Sequence, residues 1–156
     1  MPQKFNYIDF SNSITSMPRK SASLSKDRYI SNEFMELEWE GIWTKTWLFA
    51  GIESDLAEVG DFFVYDIGRE SIVITRNEKM KISAFYNVCQ HRGNKIVTIE
   101  SGSFNRVSCP YHGWTYSLNG KLEHVPDREL FEGGVPCEEH SLKPVRVSIW
   151  AGLIFI

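Results

Sequence analysis

At 156 residues the chain is one domain's worth of polypeptide, long enough to bury a self-sufficient core. Its 42% hydrophobic and 13% aromatic content, with 24% charged residues, excludes a disordered chain, and a formal net charge of −3 argues against a nucleic-acid partner. No apolar run approaches the roughly 18 residues that span a bilayer, and the segment after Met1 lacks the apolar centre of a secretory signal, so no membrane association is expected and cytoplasmic residence is the expectation.

Residues 1–26 read as a polar arm, punctuated by Asn12, Ser13, Ser16, Pro18, Ser21, Ser23 and Ser25, a composition suited to a loose segment or one ordered by a partner. Residues 27–156 are expected to form the folded domain. From Ser31 the pattern changes: Met35, Trp39, Ile42, Trp43 and Trp47 recur at i, i+4, i+7, i+8 and i+12, one face of an amphipathic helix. Ser31 or Asn32 can cap it, and Glu33 and Glu36 near its start and Lys45 near its end agree in sign with the helix dipole. Packing against a sheet is the expected role of this aromatic stripe, in preference to a cofactor face.

After Gly60 the chain becomes a series of short strands. Phe62 to Ile67, Ser71 to Arg76 and Lys81 to Tyr86 are rich in β-branched and aromatic residues, with Gly68-Arg69 and Asn77-Glu78 between them. A strand over Phe104 to Ser108, one over Trp114 to Leu118, an Asn119-Gly120 hairpin signal and a strand over Lys121 to Glu123 follow. Beyond the stretch holding Pro126, Gly133, Gly134 and Pro136, the run Val145 to Ile156 predicts two more strands. The fold is expected to be mainly β with one helix. Leu153 to Ile156 is an uninterrupted apolar run; either this strand is buried and the domain ends there, or the polypeptide continues, and the second reading is preferred because natural termini are usually polar.

Four residues between these strands carry the chemistry. Cys89 and His91 form C-x-H and Cys109 and His112 form C-x-x-H, each pair closely followed by a glycine, Gly93 or Gly113. Two thiolates and two imidazoles in mirrored pairs are what an asymmetric two-iron, two-sulfide cluster requires, both sulfurs on one iron and both nitrogens on the other. Exchanging two thiolates for neutral imidazoles raises the potential to roughly −150 to +300 mV, against about −400 mV for all-cysteine plant-type clusters. A structural zinc site is the alternative, but zinc patterns usually pair Cys with Cys and His with His, whereas here each pair is mixed. Hairpin tips are the expected positions of both pairs, since strands fix the loops while glycines let backbone amides approach sulfur. With two cysteines so engaged, no disulfide framework is implied, and Cys137 is read as a bystander thiol.

Asn87-Val88-Cys89-Gln90-His91-Arg92-Gly93, and, with seventeen residues between His91 and Cys109, Cys109-Pro110-Tyr111-His112-Gly113-Trp114-Thr115-Tyr116, resemble the N-terminal Rieske domain of the large (alpha) subunit of aromatic-ring-hydroxylating, Rieske non-haem iron oxygenases. The similarity runs from about Asp27 to the end of the chain. The resemblance implies a Rieske-type antiparallel β-sandwich with two cluster loops and a Rieske 2Fe-2S cofactor. Rieske proteins of the cytochrome bc type carry an extra cysteine in each loop; here Arg92, Gly93 and Tyr111 occupy that region, which favours the oxygenase branch and the lower part of the potential range.

The resemblance also implies partners: a ferredoxin or flavin reductase as electron donor, and as acceptor a mononuclear Fe(II) in a catalytic domain, in the family that of a neighbouring subunit. That iron would be held by two histidines and a carboxylate. Beyond the cluster histidines this chain has only His124 and His140, in no such motif, so both are read as ordinary polar residues and the catalytic iron is expected only in a C-terminal domain absent here. Trp114 and Tyr116 either shield the cluster or belong to the strand core. Arg92 and Lys95 form either a positive rim for an acidic donor or simply solvated charge. A free-standing Rieske ferredoxin is the alternative function, although the aromatic helix tilts the reading towards the oxygenase. Exposed histidine ligands predict a potential that falls as pH rises through the imidazole pKa, because the oxidised, more positive cluster favours the deprotonated ring. A potential flat across the neutral and alkaline range would count against them.

Overall fold

The structure, a computed structural model, describes residues 24–126, 128–135, 137 and 139–156. The polar arm lies outside the described residues as far as residue 23. Two compact units divide the chain, Met1–Lys45 and Thr46–Ile156.

In the first unit the helical region is broken into pieces. A single turn, α1 (Asp27–Ile30), precedes α2 (Asn32–Glu38), which runs into a π-helical turn over Trp39–Trp43. Ser31 caps α2 as expected, its hydroxyl accepting from the Phe34 N–H at 3.2 Å. The continuous helix expected to reach Trp47 is not what forms. Thr44 donates its backbone N–H to the Trp39 carbonyl, an i→i+5 bond, and its hydroxyl to the same oxygen. An i→i+5 turn takes up more residues than an α-turn, so the i, i+4 stripe loses register at Trp39 and the helical region ends at Trp43. Trp39 is buried, whereas Met35, Ile42 and Trp43 are exposed, and Trp47 falls in the second unit.

Among the described residues of the second unit every strand pairing is antiparallel. Its centre is a five-stranded sheet of order β5-β2-β3-β4-β9, formed by β2 (Asp61–Ile67), β3 (Glu70–Arg76), β4 (Ile82–Tyr86), β5 (Ser101–Ser103) and β9 (Pro144–Val145). Alternation along these strands feeds two cores. Phe62, Val73 and Phe85 point to one cluster of buried residues; Ile72, Ile74, Ile82 and Ala84 point to the other. The second cluster is closed by Ile154 on β11 (Leu153–Phe155), the middle strand of a sheet whose flanks are β1 (Phe49–Ile52) and β10 (Ser148–Trp150). Two sheets thus sandwich an apolar layer, as expected. The first cluster is shared with a small sheet of β6 (Val107–Ser108), β7 (Thr115–Tyr116) and β8 (Leu122–His124). No helix among the described residues is long and apolar enough to cross a membrane.

Several details depart from the expected elements. The terminal run divides into three strands: β10 and β11 are joined by Ala151-Gly152, with φ of 50° and 78°, the left-handed pair of a type I′ hairpin turn. Leu153–Phe155 is therefore strand, with Ile154 fully buried, and Ile156 just beyond it exchanges backbone hydrogen bonds with Leu48. The strand over Phe104 to Ser108 shrinks to Val107–Ser108, while Ser101–Ser103, which lacks any strand-like composition, pairs with Asp61–Phe63.

Gly60 supports that pairing. Its φ is +95°, and a Cβ there would lie 2.5 Å from the Phe104 carbonyl oxygen, to which the chain is already tied by the Phe104 N–H on the Gly60 oxygen. Gly41, by contrast, has no non-local atom within 4 Å of such a Cβ. Gly60→Ala should therefore cost about 2 kcal/mol or more in urea unfolding, whereas Gly41→Ala should be neutral or stabilising by up to about 1 kcal/mol. Equal effects would show that the close approach at Gly60 carries no strain.

Candidate metal centre

The two Cys-His pairs sit on the same turn, used twice. In the first, the Cys89 N–H donates to the Asn94 carbonyl at 2.9 Å and the Gly93 N–H to the Cys89 carbonyl at 2.9 Å; in the second, Cys109 bonds Trp114 at 2.8 Å and Gly113 bonds Cys109 at 3.0 Å. Gly93 and Gly113 take φ of +72° and +70° at equivalent places, the left-handed conformation that closes each turn without a Cβ clash. Extended chain on either side lies in different surroundings. The second turn is the tip of the β6–β7 hairpin, as expected. The first is not a hairpin tip: β4 and β5 flank it, and these strands are separated in the sheet by β3 and β2. The sequence shows strand-like runs but not which of them pair, and Ser101–Ser103 finds its partner on β2.

The turns bring their side chains together. Cys89 and Cys109 are buried at 2% and 3% exposure, and the rings of His91 and His112 meet edge to face with centroids 4.6 Å apart. Burial above all pushes the Cys89 thiol up; the adjacent Cys109 thiol adds to this, while the Tyr116 hydroxyl and the His91 backbone N–H pull the other way. Burial also lowers the His91 pKa, with His112, Arg92 and His140 adding to it. The His91 imidazole is thus held neutral with a lone pair to offer, while burial favours the protonated Cys89 thiol until a cation binds it.

Trp114 and Tyr116 both touch the ligand candidates. The Trp114 indole lies flat on the His91 ring, centroids 4.8 Å apart and planes 9° apart, and is itself buried. Tyr116, fully buried, reaches from β7 across to the other turn: its hydroxyl lies 3.3 Å from Cys89 Sγ and accepts the Gln90 N–H at 3.2 Å. Desolvation first, and the Cys89 bond second, push the Tyr116 phenol up, so it remains a hydrogen-bond donor.

The surrounding residues fall differently. Tyr111 is exposed and packs against His112 at 3.8 Å. Arg92 and Lys95 are both exposed, and Lys95 pairs with Asp66 at 3.3 Å, which offsets its charge on the rim. His124 lies at the end of β8, lining a surface depression with Cys137. His140, read from the sequence as an ordinary polar residue, has its ring 5.6 Å from that of Trp114. Nothing in its local sequence marks it, because the loop that carries it lies some fifty positions from His91.

The donor set fits a two-iron cluster. His91 Nδ1 is buried and has no hydrogen-bond partner, a costly arrangement unless that nitrogen is a ligand. Among the described residues no three His, Cys, Asp or Glu side chains are grouped to hold one ion. Two donors per metal, as in a 2Fe-2S cluster with histidines on one iron, match this better than one tetrahedral zinc.

The Rieske [2Fe-2S] domain family matches residues 46–139. The glycine betaine monooxygenase oxygenase subunit of Pseudomonas aeruginosa is 34% identical over 141 residues, covering 87% of this chain and 31% of its own. The biphenyl dioxygenase subunit alpha of Metapseudomonas furukawaii is 35% identical over 134 residues, 81% of this chain and 29% of its own. Among solved structures, a quaternary ammonium Rieske monooxygenase, described for carnitine oxidation by gut microbiota and inter-subunit electron transfer, superposes with a TM-score of 0.78 at 36% identity, over 84% of this chain and 36% of that one. The chain spans about a third of the length of these relatives. With its paired cysteine and histidine turns and its antiparallel sheets, the chain belongs to the Rieske [2Fe-2S] domain family, and the relatives it is similar to are oxygenase subunits.

Proposed function

We propose that Cys89 and Cys109 hold one iron and His91 and His112 the other, and that the chain serves as the electron-transfer part of a Rieske oxygenase. The observation that carries this reading is the buried, unpartnered Nδ1 of His91 beside His112, opposite two buried cysteines on matching turns. When bound, the cluster supplies a one-electron couple whose potential is raised by the two neutral imidazoles. The protein's own part is to hold and insulate. Trp114 keeps water from one face of His91, and the two turns fix the sulfurs in the apolar cluster that includes Val97, Val107 and Leu122. The histidine edge is the more open side, since His91 and His112 are half-buried and Tyr111 beside them is exposed. The His91–His112 edge is therefore where a bound cluster would exchange electrons, with a ferredoxin or flavin reductase as donor and, as acceptor, a mononuclear iron that would activate oxygen for hydroxylation of a small molecule.

The relatives are oxygenase subunits, which supports this reading over a free-standing ferredoxin. Reading the coding sequence beyond Ile156 tests it: a downstream two-histidine, one-carboxylate motif is expected, and a stop codon there would leave a carrier only. For the metal, the purified chain should be coloured, and its dithionite-reduced form should give an electron paramagnetic resonance signal that Cys109→Ala abolishes. A colourless, zinc-loaded protein would refute the cluster.

Tyr116 sets a second expectation. A thiolate ligand has no proton, so the hydroxyl must donate to Cys89 Sγ, and the bond is stronger when the cluster carries the added electron. The Tyr116→Phe variant should therefore lower the midpoint potential by on the order of 50 mV, close to the ~59 mV of a tenfold one-electron shift. An unchanged potential in protein film voltammetry, with the cluster intact, would show that this contact does not tune the centre.

A further inference from the structure

The two ligand turns are alike, but their bases are closed by different means. The second is clasped by the β6–β7 ladder, with Val107 opposite Tyr116 and Ser108 opposite Thr115. The first has no such ladder, because it leaves β4 at Tyr86 and rejoins the sheet on β5, with β3 and β2 lying between. In the place of a ladder stands one side chain, Asn87. Its carboxamide nitrogen donates to the Val97 carbonyl at 2.8 Å and to Ser71 Oγ at 3.2 Å, and its oxygen accepts from the backbone N–H groups of Val97 at 2.9 Å and Ile96 at 3.1 Å. The Asn87 backbone N–H is tied to the Ser71 carbonyl on β3 at 2.8 Å.

Two N–H donors and two lone pairs are the whole capacity of a primary amide, and here all four are used at 1% exposure. Donating to and accepting from the backbone of Val97 is what a neighbouring strand does in a ladder. We infer that Asn87 is a positioning residue of the metal centre. Its side chain replaces the missing strand partner and closes the loop from 87 to 97 that carries Cys89 and His91. The inference rests on the proposed assignment of those two residues as ligands. Ile96 and Val97, which it holds, belong to the same buried cluster as Cys89 and Cys109, so their placement and that of the ligands are linked through packing as well as through the chain.

The test uses the cluster-loaded 156-residue chain as wild type, Asn87→Ala, Asn87→Asp and, as a control, Ile154→Ala, which opens a cavity in the other core, across the sheet. Below the unfolding transition of every variant, Asn87→Ala should release iron to a chelator about tenfold or more faster than wild type, since buried amides are left unpaired. Its reduced-state resonance should also shift, and the Ile96 and Val97 amides should exchange faster. Asn87→Asp, which keeps the acceptor but loses both donors, should fall between the two; it carries the test if Asn87→Ala does not fold. Ile154→Ala, destabilised overall, should keep the wild-type release rate and spectrum. Asn87 variants that match the control in release and spectrum, with the wild type carrying a cluster, overturn this inference alone. A wild type that takes up no cluster overturns the ligand assignment and this inference with it.

Discussion

Two buried thiols and a bare imidazole nitrogen crowded into one apolar pocket are unfavourable in the absence of a metal. Cys89 and Cys109 lie side by side out of solvent, and His91 Nδ1 has no hydrogen-bond partner. Burial raises the Cys89 thiol pKa more than the Tyr116 hydroxyl and the His91 backbone N–H lower it, and burial also lowers the pKa of the His91 imidazole, so on balance these two groups favour charge only once a cation arrives. The scaffold must therefore hold these groups against their own preferences. Tyr116 does so directly, reaching from the second turn to Cys89 Sγ and the Gln90 N–H of the first. One fully buried phenol thus couples two loops that come from different parts of the sheet system.

The five-stranded sheet supplies the rigidity behind this arrangement. Val73 and Phe85 face the metal-centre cluster, while Ile72, Ile74 and Ala84 on the same strands face the core closed by Ile154. Because the sheet is covered on both faces, neither strand register can slip without moving apolar side chains into the wrong layer. Arg76 anchors one end. Its guanidinium bonds the Leu56, Glu53 and Met80 carbonyls and the Glu53 carboxylate, which fixes the short 3-10 turn Glu53–Leu56 against β3. A buried arginine whose donors reach carbonyls and a carboxylate keeps its charge without the cost of an unpaired one.

Much of the centre is legible in the chain. The mixed Cys-His pairs with their glycines named the cofactor, and the strands β2, β3 and β4 were readable from their β-branched runs and turn residues. Other features were not. Phe49–Ile52 carries a glycine and no alternation, and Ser101–Ser103 is serine and glycine alone; both become strands because a neighbour offers an unpaired edge. The helix stripe from Met35 to Trp47 was periodic in sequence yet broke at an i→i+5 turn. His140 came to lie beside Trp114 with no local signal at all.

The sequence by itself determined the donors, their order, and the glycines that let each donor pair sit in a tight turn, because those depend on residue type and on spacings of only a few positions. The tertiary structure decided how each loop is closed. It placed β5 on β2 instead of beside β4, which left the first ligand turn without a strand partner and gave that role to the side chain of Asn87. Strand order is set by long-range pairing and by the burial of two separate cores, and neither is written in the few residues around a motif.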